Sequence, residues 1–386
     1  MKTRTLLQRL HRWIGIPFGL LLLVQGMTGV VMVFRAELTR AIHHSALVDS
    51  TRVDSPGAAS VPVQSMLDKV RSLHPDLRVS RIEYSKQPGD ALLFRLERAG
   101  EGVERYVAVD RYSGGITRDA PLSQWPVQWL FELHEELWLG APGKNIVGTN
   151  GIVLALLALS GPFLWWPGRK ALLRRGFNVS LSGGAYRGVR DLHRVGGIIV
   201  AAVLLVSGST GIVIAWKSVV QPVIGRIMPM TVKPAAKVAL QPGLALKPVD
   251  ELIATARGLH ANAPVSNVRF PTGDGREVTV FLHDSVTGRP RASNQLWFNG
   301  YTGEVIGTYT AATLPSGNVL IDWMLPVHSG EVLGIAGRIL FLLAGLVLCL
   351  LGVTGLWQWF ARRKLLRQVS RAAPPPLTSA SKRTAR

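Results

Sequence analysis

The chain is poor in the residues that many chemistries require. One cysteine, Cys349, stands among 386 residues, and it lies inside an apolar run where it suits packing. Any folded part outside a membrane must therefore hold together without disulfides. Asp and Glu are missing from all four of the long uncharged runs, Trp13 to Phe34, Asn145 to Gly168, Val195 to Trp216 and Ile339 to Phe360. That absence argues against an intramembrane proton relay, which ordinarily needs a carboxylate. No G-x-G-x-x-G follows a strand on the basic side of the spans, and the loops there are too short to fold a nucleotide or flavin domain.

Each of those runs has 22 to 24 residues, enough to span about 30 Å of hydrocarbon. The first is too long for the apolar core of a signal peptide and no small-residue cleavage site follows it, so it reads as an uncleaved helix. The net charge of +20 would suggest nucleic acid, but its placement excludes that partner. Residues 1–12, 169–194 and 361–386 hold 19 Lys and Arg against the single acid Asp191, whereas the two long segments between spans hold 25 basic and 23 acidic residues. The basic flanks alternate with the spans as the positive-inside rule requires. Both termini are expected to be cytoplasmic, with the lipid bilayer as surroundings.

The chain also repeats. Leu10-His11-Arg12 recurs as Leu192-His193-Arg194, and Gly15, Gly26 and Thr28-Gly29 recur as Gly197, Gly208 and Thr210-Gly211, all at a shift of 182. At about 100° per residue the glycine at +4 lies roughly 40° from the histidine and that at +18 returns to its angle. Such a face admits either a second helix backbone or a flat ligand. The second and fourth spans are copies at a shift of 194: His134 with Gly140, Gly143 and Gly161 matches His328 with Gly334, Gly337 and Gly355. Ser, Thr and Gln inside the spans (Thr28, Ser160, Thr210, Thr354 among them) read as interhelical hydrogen bonds. Trp165, Trp166, Trp357 and Trp359 fit an aromatic belt.

Between paired spans lies a small α+β module, again twice. Thr51 to Ser60 reads as a linker. Val63 to His74 has helical periodicity and matches Val249 to His260 at a shift of 186. Strand-like segments follow at Arg78 to Tyr84, Ala91 to Glu97 and Arg105 to Asp110, and at Ser266 to Phe270, Glu277 to His283 and Gln295 to Asn299. The expected fold is a helical membrane protein of four transmembrane helices, arranged as two parallel pseudo-two-fold repeats with two small periplasmic α+β modules. Its parts are residues 1–34 (cytoplasmic N-terminus and first span), 35–128 (first module), 129–168 (interfacial segment and second span), 169–194 (basic loop), 195–216 (third span), 217–322 (second module), 323–360 (interfacial segment and fourth span) and 361–386 (basic tail).

Four of nine histidines sit at the membrane boundary in repeat-related pairs, His11 with His193 inside and His134 with His328 outside. An approximate two-fold axis brings such pairs face to face. Two opposed imidazoles suit a b-type haem, whose iron asks the protein for two axial ligands. Zinc wants three or four, and no third His or Cys recurs beside either pair, although Glu132, Glu135 and Glu136 surround His134. Arg12 and Arg194 are read either as partners of haem propionates or simply as positive-inside charge. His74 and His260 each end a module helix, where a histidine suits the dipole.

The LHR…G…G-TG opening, the four spans, the insert in each half and the second histidine pair together resemble the PepSY-associated transmembrane family of bacterial inner-membrane proteins, over roughly residues 5 to 365. Within it the chain is similar to iron-regulated ferric-siderophore reductases. The resemblance implies two haem b groups held by His11, His193, His134 and His328, with electrons carried to the periplasm to reduce a ferric siderophore. The electron donor would be a separate cytoplasmic reductase or the quinol pool. Two other classes remain: a siderophore or haem permease, and a non-enzymatic sensor or regulator.

Overall fold

The computed structural model describes residues 2–48, 60–87, 89–98, 102–168, 176–180, 182, 184–231, 237–261, 263–271 and 275–372. The expected linker at residues 51–59, residues 169–175 of the basic loop and residues 373–386 of the tail lie outside them. In chain order the helices are α1 (Lys2–Met32), α2 (Arg35–Ile42), α3 (His44–Leu47), α4 (Val63–Leu73), α5 (Pro126–Glu136), α6 (Ala141–Trp165), α7 (Ala185–Ala215), α8 (Lys217–Ile224), α9 (Val249–Leu259), α10 (Ser316–His328) and α11 (Gly334–Ala372). The strands are β1 (Arg78–Glu83), β2 (Leu92–Arg98), β3 (Gly102–Val109), β4 (Ile116–Pro121), β5 (Val265–Arg269), β6 (Glu277–His283), β7 (Ser293–Asn299) and β8 (Val305–Tyr309).

Helices α1, α6, α7 and α11 are long and apolar enough to cross a membrane. The helix of α1 begins at Lys2 and runs unbroken through Pro17, so the basic lead and His11 belong to the same rod as the apolar run. Each of α1 and α7 packs against both α6 and α11. Glycines set the closest crossings: a methyl group on Gly26 of α1 would lie 3.4 Å from the Gly345 carbonyl of α11, and one on Gly208 of α7 would lie 3.0 Å from the Gly151 carbonyl of α6. With no hydrophobic drive between helices in lipid, such close backbone contact supplies the association.

The turn from α5 into α6 shows why glycine recurs at 140 and 143. Gly140 takes a positive φ of 62°, and a side chain on Gly143 would collide with the Glu136 carbonyl. The same pair of constraints, a φ of 61° at Gly334 and a blocked position at Gly337 against the Gly330 carbonyl, opens α11. Leu137 and Trp138, both left-handed without being glycine, complete the first of these turns, where the backbone carries local strain.

Two separate modules were expected from the sequence; the strands instead form one eight-stranded antiparallel sheet in the order β4-β3-β2-β1-β5-β6-β7-β8. Strand β1 pairs with β5, Ile82 opposite Val268 and Arg81 opposite Arg269, so the inner edges of the two modules are joined and covered. The outer strands β4 and β8 are additions to the sequence reading. Register explains the core. Val107, Phe94, Ile82, Val268, Val280 and Leu296 form one row across six strands, and all are fully buried. Against this face lie α4, through Val63, Met66, Leu67 and Val70, and α9, through Val249, Leu252, Ile253 and Ala256. Both stripes follow the i, i+3, i+4, i+7 rhythm of an amphipathic helix.

Reciprocal capping locks the halves together. Asp250 of α9 accepts hydrogen bonds from the Val63 and Gln64 amides of α4 at 2.9 and 2.8 Å, while Gln64 accepts one from the Val249 amide at 2.9 Å. Each helix thus satisfies orphan donors at the start of the other. Asp250→Ala removes both acceptors at once and should cost about 0.5–2 kcal/mol, the usual worth of a helix cap. Thermal unfolding of the detergent-solubilised protein measures this, with Asp250→Asn expected to lose less because it keeps one acceptor.

Candidate functional site

Each of the four boundary histidines meets a hydroxyl from the other spanning helix of its own half. His11 Nδ1 of α1 lies 2.8 Å from Ser160 Oγ of α6, and His134 Nδ1 of α5 lies 2.8 Å from Thr28 Oγ1 of α1. In the second half His193 Nδ1 of α7 is 3.0 Å from Thr354 Oγ1 of α11, and His328 Nδ1 of α10 is 3.0 Å from Thr210 Oγ1 of α7. The sequence reading recognised these hydroxyls as interhelical hydrogen bonds without assigning them to the histidines. The Thr-Gly pairs already read at residues 28–29 and 210–211 have counterparts at 160–161 and 354–355, one such pair in every span, and that recurrence was the signal linking hydroxyl to histidine.

These contacts favour one tautomer. Every one of the four hydroxyls already donates its hydrogen to a carbonyl in the preceding turn of its own helix: Thr28 to Val24, Ser160 to Leu157, Thr210 to Val206 and Thr354 to Leu350. What remains for the imidazole is an acceptor lone pair, so Nδ1 carries the proton. His328 Nδ1 also lies 3.0 Å from the Ser207 carbonyl, which can only accept. His134 and His193 likewise bond the backbone of Gln25 and Leu351. With Nδ1–H so engaged, Nε2 holds its lone pair outward, the arrangement found in metal-bound histidines whose orientation is set by a second partner.

The glycine after each of the three threonines makes room for the ring, whereas Gly161, after Ser160, has no atom within 4 Å of where a side chain would begin. A methyl group on Gly29 would lie 3.4 Å from His134 Cε1, and one on Gly211 or Gly355 would lie 3.3 Å from Cε1 of His328 or His193. The two readings of the glycine face thus divide by position: Gly26 and Gly208 serve helix crossing, whereas Gly29 and Gly211 seat an imidazole.

His134 and His328 come together, ring centroids 6.4 Å apart and planes inclined by 52°. A metal–nitrogen bond of about 2 Å on each side, plus the distance from nitrogen to ring centre, spans the same separation. His11 and His193 are near enough to interact electrostatically. Among the described residues no three His, Cys, Asp or Glu side chains converge as a metal-ion site. The glutamates around His134 are otherwise engaged: Glu132 lies 3.6 Å from Arg95, and Glu135 and Glu136 each lie 3.4 Å from Lys144. Burial pushes the Glu132 carboxyl up to about 7 despite the pull of Arg95. At the basic end, Arg194 donates to the Asn178 carbonyl at 2.8 Å and approaches Asp191, and Arg12 reaches the Gln8 carbonyl at 3.4 Å. His74 and His260 are the C-caps of α4 and α9, and His74 Nε2 lies 2.8 Å from Asp119.

A cavity of about 1590 Å³ runs from the glycine-lined interior of the bundle, past His134 and His328, to the underside of the sheet. It is larger than a typical ligand pocket of about 300–1,000 Å³. Its roof is the sheet face opposite the apolar core, with Arg95, Arg81 and Arg269 side by side on β2, β1 and β5. Burial alone would raise the nearby Glu83 carboxyl, but Arg35, Arg81 and Arg95 together hold it below its ordinary value.

Residues 8–362 match the protein family described as PepSY-associated TM region. The chain belongs to that family. None of the curated proteins compared with it matches. The family match spans all four boundary histidines, the sheet and the cavity, so the PepSY-associated TM region here is the whole bundle with its fused extramembrane sheet.

Thr28→Val keeps the side-chain shape of this family member but removes the acceptor for His134. His134 keeps its bond to the Gln25 backbone, so the loss is that of one hydrogen bond, about 0.5–1.5 kcal/mol; the unfolding temperature should fall, and Thr28→Ser should restore it. Glu83 gives a pH-dependent test. Its folded pKa lies below its unfolded value of about 4.3, so its stabilisation is complete at neutral pH and is lost as pH falls through the depressed folded value. The stability gap between the parent and Glu83→Gln, followed by unfolding from pH 7 to pH 3, should accordingly close at the acid end.

Proposed function

We propose that this chain is a dihaem b-type electron-transfer protein of the bacterial inner membrane that reduces ferric siderophore iron at the periplasmic face, releasing Fe(II) for uptake. The observation that carries the reading is the fourfold recurrence of an imidazole bonded through Nδ1, with no hydrogen bond at Nε2 among the described residues, two at each end of the bundle. The donor set, two imidazoles at each end, fits a haem iron that would take two protein nitrogens. The 6.4 Å spacing of the His134 and His328 rings agrees with one metal between them.

In this reading His134 and His328 hold one haem and His11 and His193 the other. When bound, the two groups would supply one-electron carriage between the faces of the bilayer. The chain contributes the rest. The hydroxyl partners orient each ring and raise its basicity as a ligand. The four uncharged runs contain no acid, so no carboxylate proton relay would accompany the electrons. Basic flanks at residues 1–12, 169–194 and 361–386 set both termini in the cytoplasm, and the halves are parallel repeats about an axis along the membrane normal. The sheet is then periplasmic, and the cavity beneath it receives the iron complex. Ferrous iron binds hard oxygen donors far more weakly than ferric iron, so a one-electron reduction there amounts to release. The electrons come from a separate cytoplasmic reductase or from quinol.

An oxidised-minus-reduced visible spectrum of the purified protein tests this, with extracted haem counted per chain. Two b-type haems per chain, reoxidised on adding a ferric siderophore, are expected. His11→Ala and His193→Ala should each remove the same haem, and His134→Ala and His328→Ala the other. Absence of haem in protein made with ample haem supply, or loss of different haems within a pair, would refute the assignment.

A further inference from the structure

Arg95, Arg81 and Arg269 are direct cross-strand neighbours on three adjacent strands in the middle of the sheet. Like charges directly opposite one another destabilise a sheet, so this row does not arise from sheet stability. Its acid partners do not balance it evenly. Arg81 lies 3.3 Å from Glu83 and Arg95 lies 3.1 Å from Glu97, but Arg269 donates to the amide oxygen of Asn267 at 3.2 Å. Arg35, on the same cavity wall, stacks 3.7 Å over the ring of Phe131. Surrounding protein, and then the neighbouring Arg81, push the Arg269 guanidinium down to about 10, still charged at neutral pH. It keeps exposed surface because the cavity opens beside it.

Eight basic and four acidic side chains line the cavity as a whole. A concave, partly desolvated space with that imbalance concentrates anions. Arginine also brings more than charge: its planar fork matches a carboxylate through two parallel hydrogen bonds. Three forks in a row, facing one space, suit a ligand with several carboxylates.

We infer that the Arg95–Arg81–Arg269 row is a carboxylate-binding site in the roof of the cavity, opposite His134 and His328. Two sources carry that chemistry: a diffusible anionic polycarboxylate complex of ferric iron, or the propionates of a haem held below. The inference rests on the reductase reading only for its consequence, which is that the enzyme prefers anionic over cationic iron complexes. The site itself stands on the arginines.

The test uses gallium(III) citrate, an anionic and redox-inert complex, titrated into the full-length protein in detergent by calorimetry, with a cationic gallium trihydroxamate for comparison. Haem content and thermal unfolding are measured on the same samples. With a diffusible ligand, the citrate complex binds, the cationic one does not, and affinity falls with salt. Arg269→Gln then weakens binding about tenfold at unchanged haem content and unfolding temperature, and Arg269→Lys, which keeps the charge but not the fork, lies between. With propionates as the source, citrate does not bind the parent, and Arg269→Gln lowers the haem-to-chain ratio or shifts the Soret band. Either result supports the site and identifies its occupant. If neither citrate binding nor haem responds to Arg269→Gln, the site is overturned while two haems per chain would leave the reductase reading intact. Arg269-dependent citrate binding to a protein without haem would do the opposite, keeping the site and removing the reductase reading.

Discussion

Two hydrogen bonds running in opposite directions tie each pair of spanning helices, and the rest of the arrangement depends on them. In the first half α1 offers an imidazole to α6 at the basic end and receives one from α5, which leads into α6, at the sheet end. The second half does the same. Because each clasp joins a ring to a hydroxyl on the neighbouring helix, it fixes the separation, the axial register and the ring orientation together. In hydrocarbon there is no water to replace a lost partner, so an imidazole turned away from its hydroxyl would leave polar atoms bare. The geometry of any ligand between the rings is therefore set by helix packing, well before that ligand arrives.

Much of this was written along the chain. The shifts of 182 and 194 named the four histidines, the glycines and the Thr-Gly pairs, because repeated residues at fixed offsets survive as pattern whatever the fold does. The connection between Thr28 and His134 was not legible, since the two are 106 residues apart and only packing brings them together. The strands β4 and β8 escaped notice for a local reason: Ile-Thr-Arg-Asp-Ala-Pro and Val-Ile-Gly-Thr-Tyr alternate weakly and bury few side chains. The fusion of two modules into one sheet was hidden more deeply. Nothing in β1 or β5 alone states which other edge it will meet, and a sequence read half by half divides the molecule where the sheet is continuous.

The two faces of that sheet divide its labour. One carries the fully buried row through Ile82 and Val268 and rests on α4 and α9; the other carries arginines and glutamates over the cavity. A strand alternates its side chains, so one residue step separates an apolar core from a charged roof. The β-bulge between Val79 and Arg81 matters in this light, because it shifts the count by one and keeps Val79 and Ile82 on the core side while Arg81 faces the cavity.

The pairing of β1 with β5 has a consequence for biogenesis. Strand β1 is made about 180 residues before the strand that covers it, and in the interval its unpaired edge is a template for any other extended chain. The Asp250 cap on α4 is likewise missing until α9 is made. The first half therefore waits, with two helices inserted and a sheet edge open, until the third span has threaded and its module has followed. A ribosome stalled between the halves would leave a species prone to pairing with a second copy of itself through the open β1 edge.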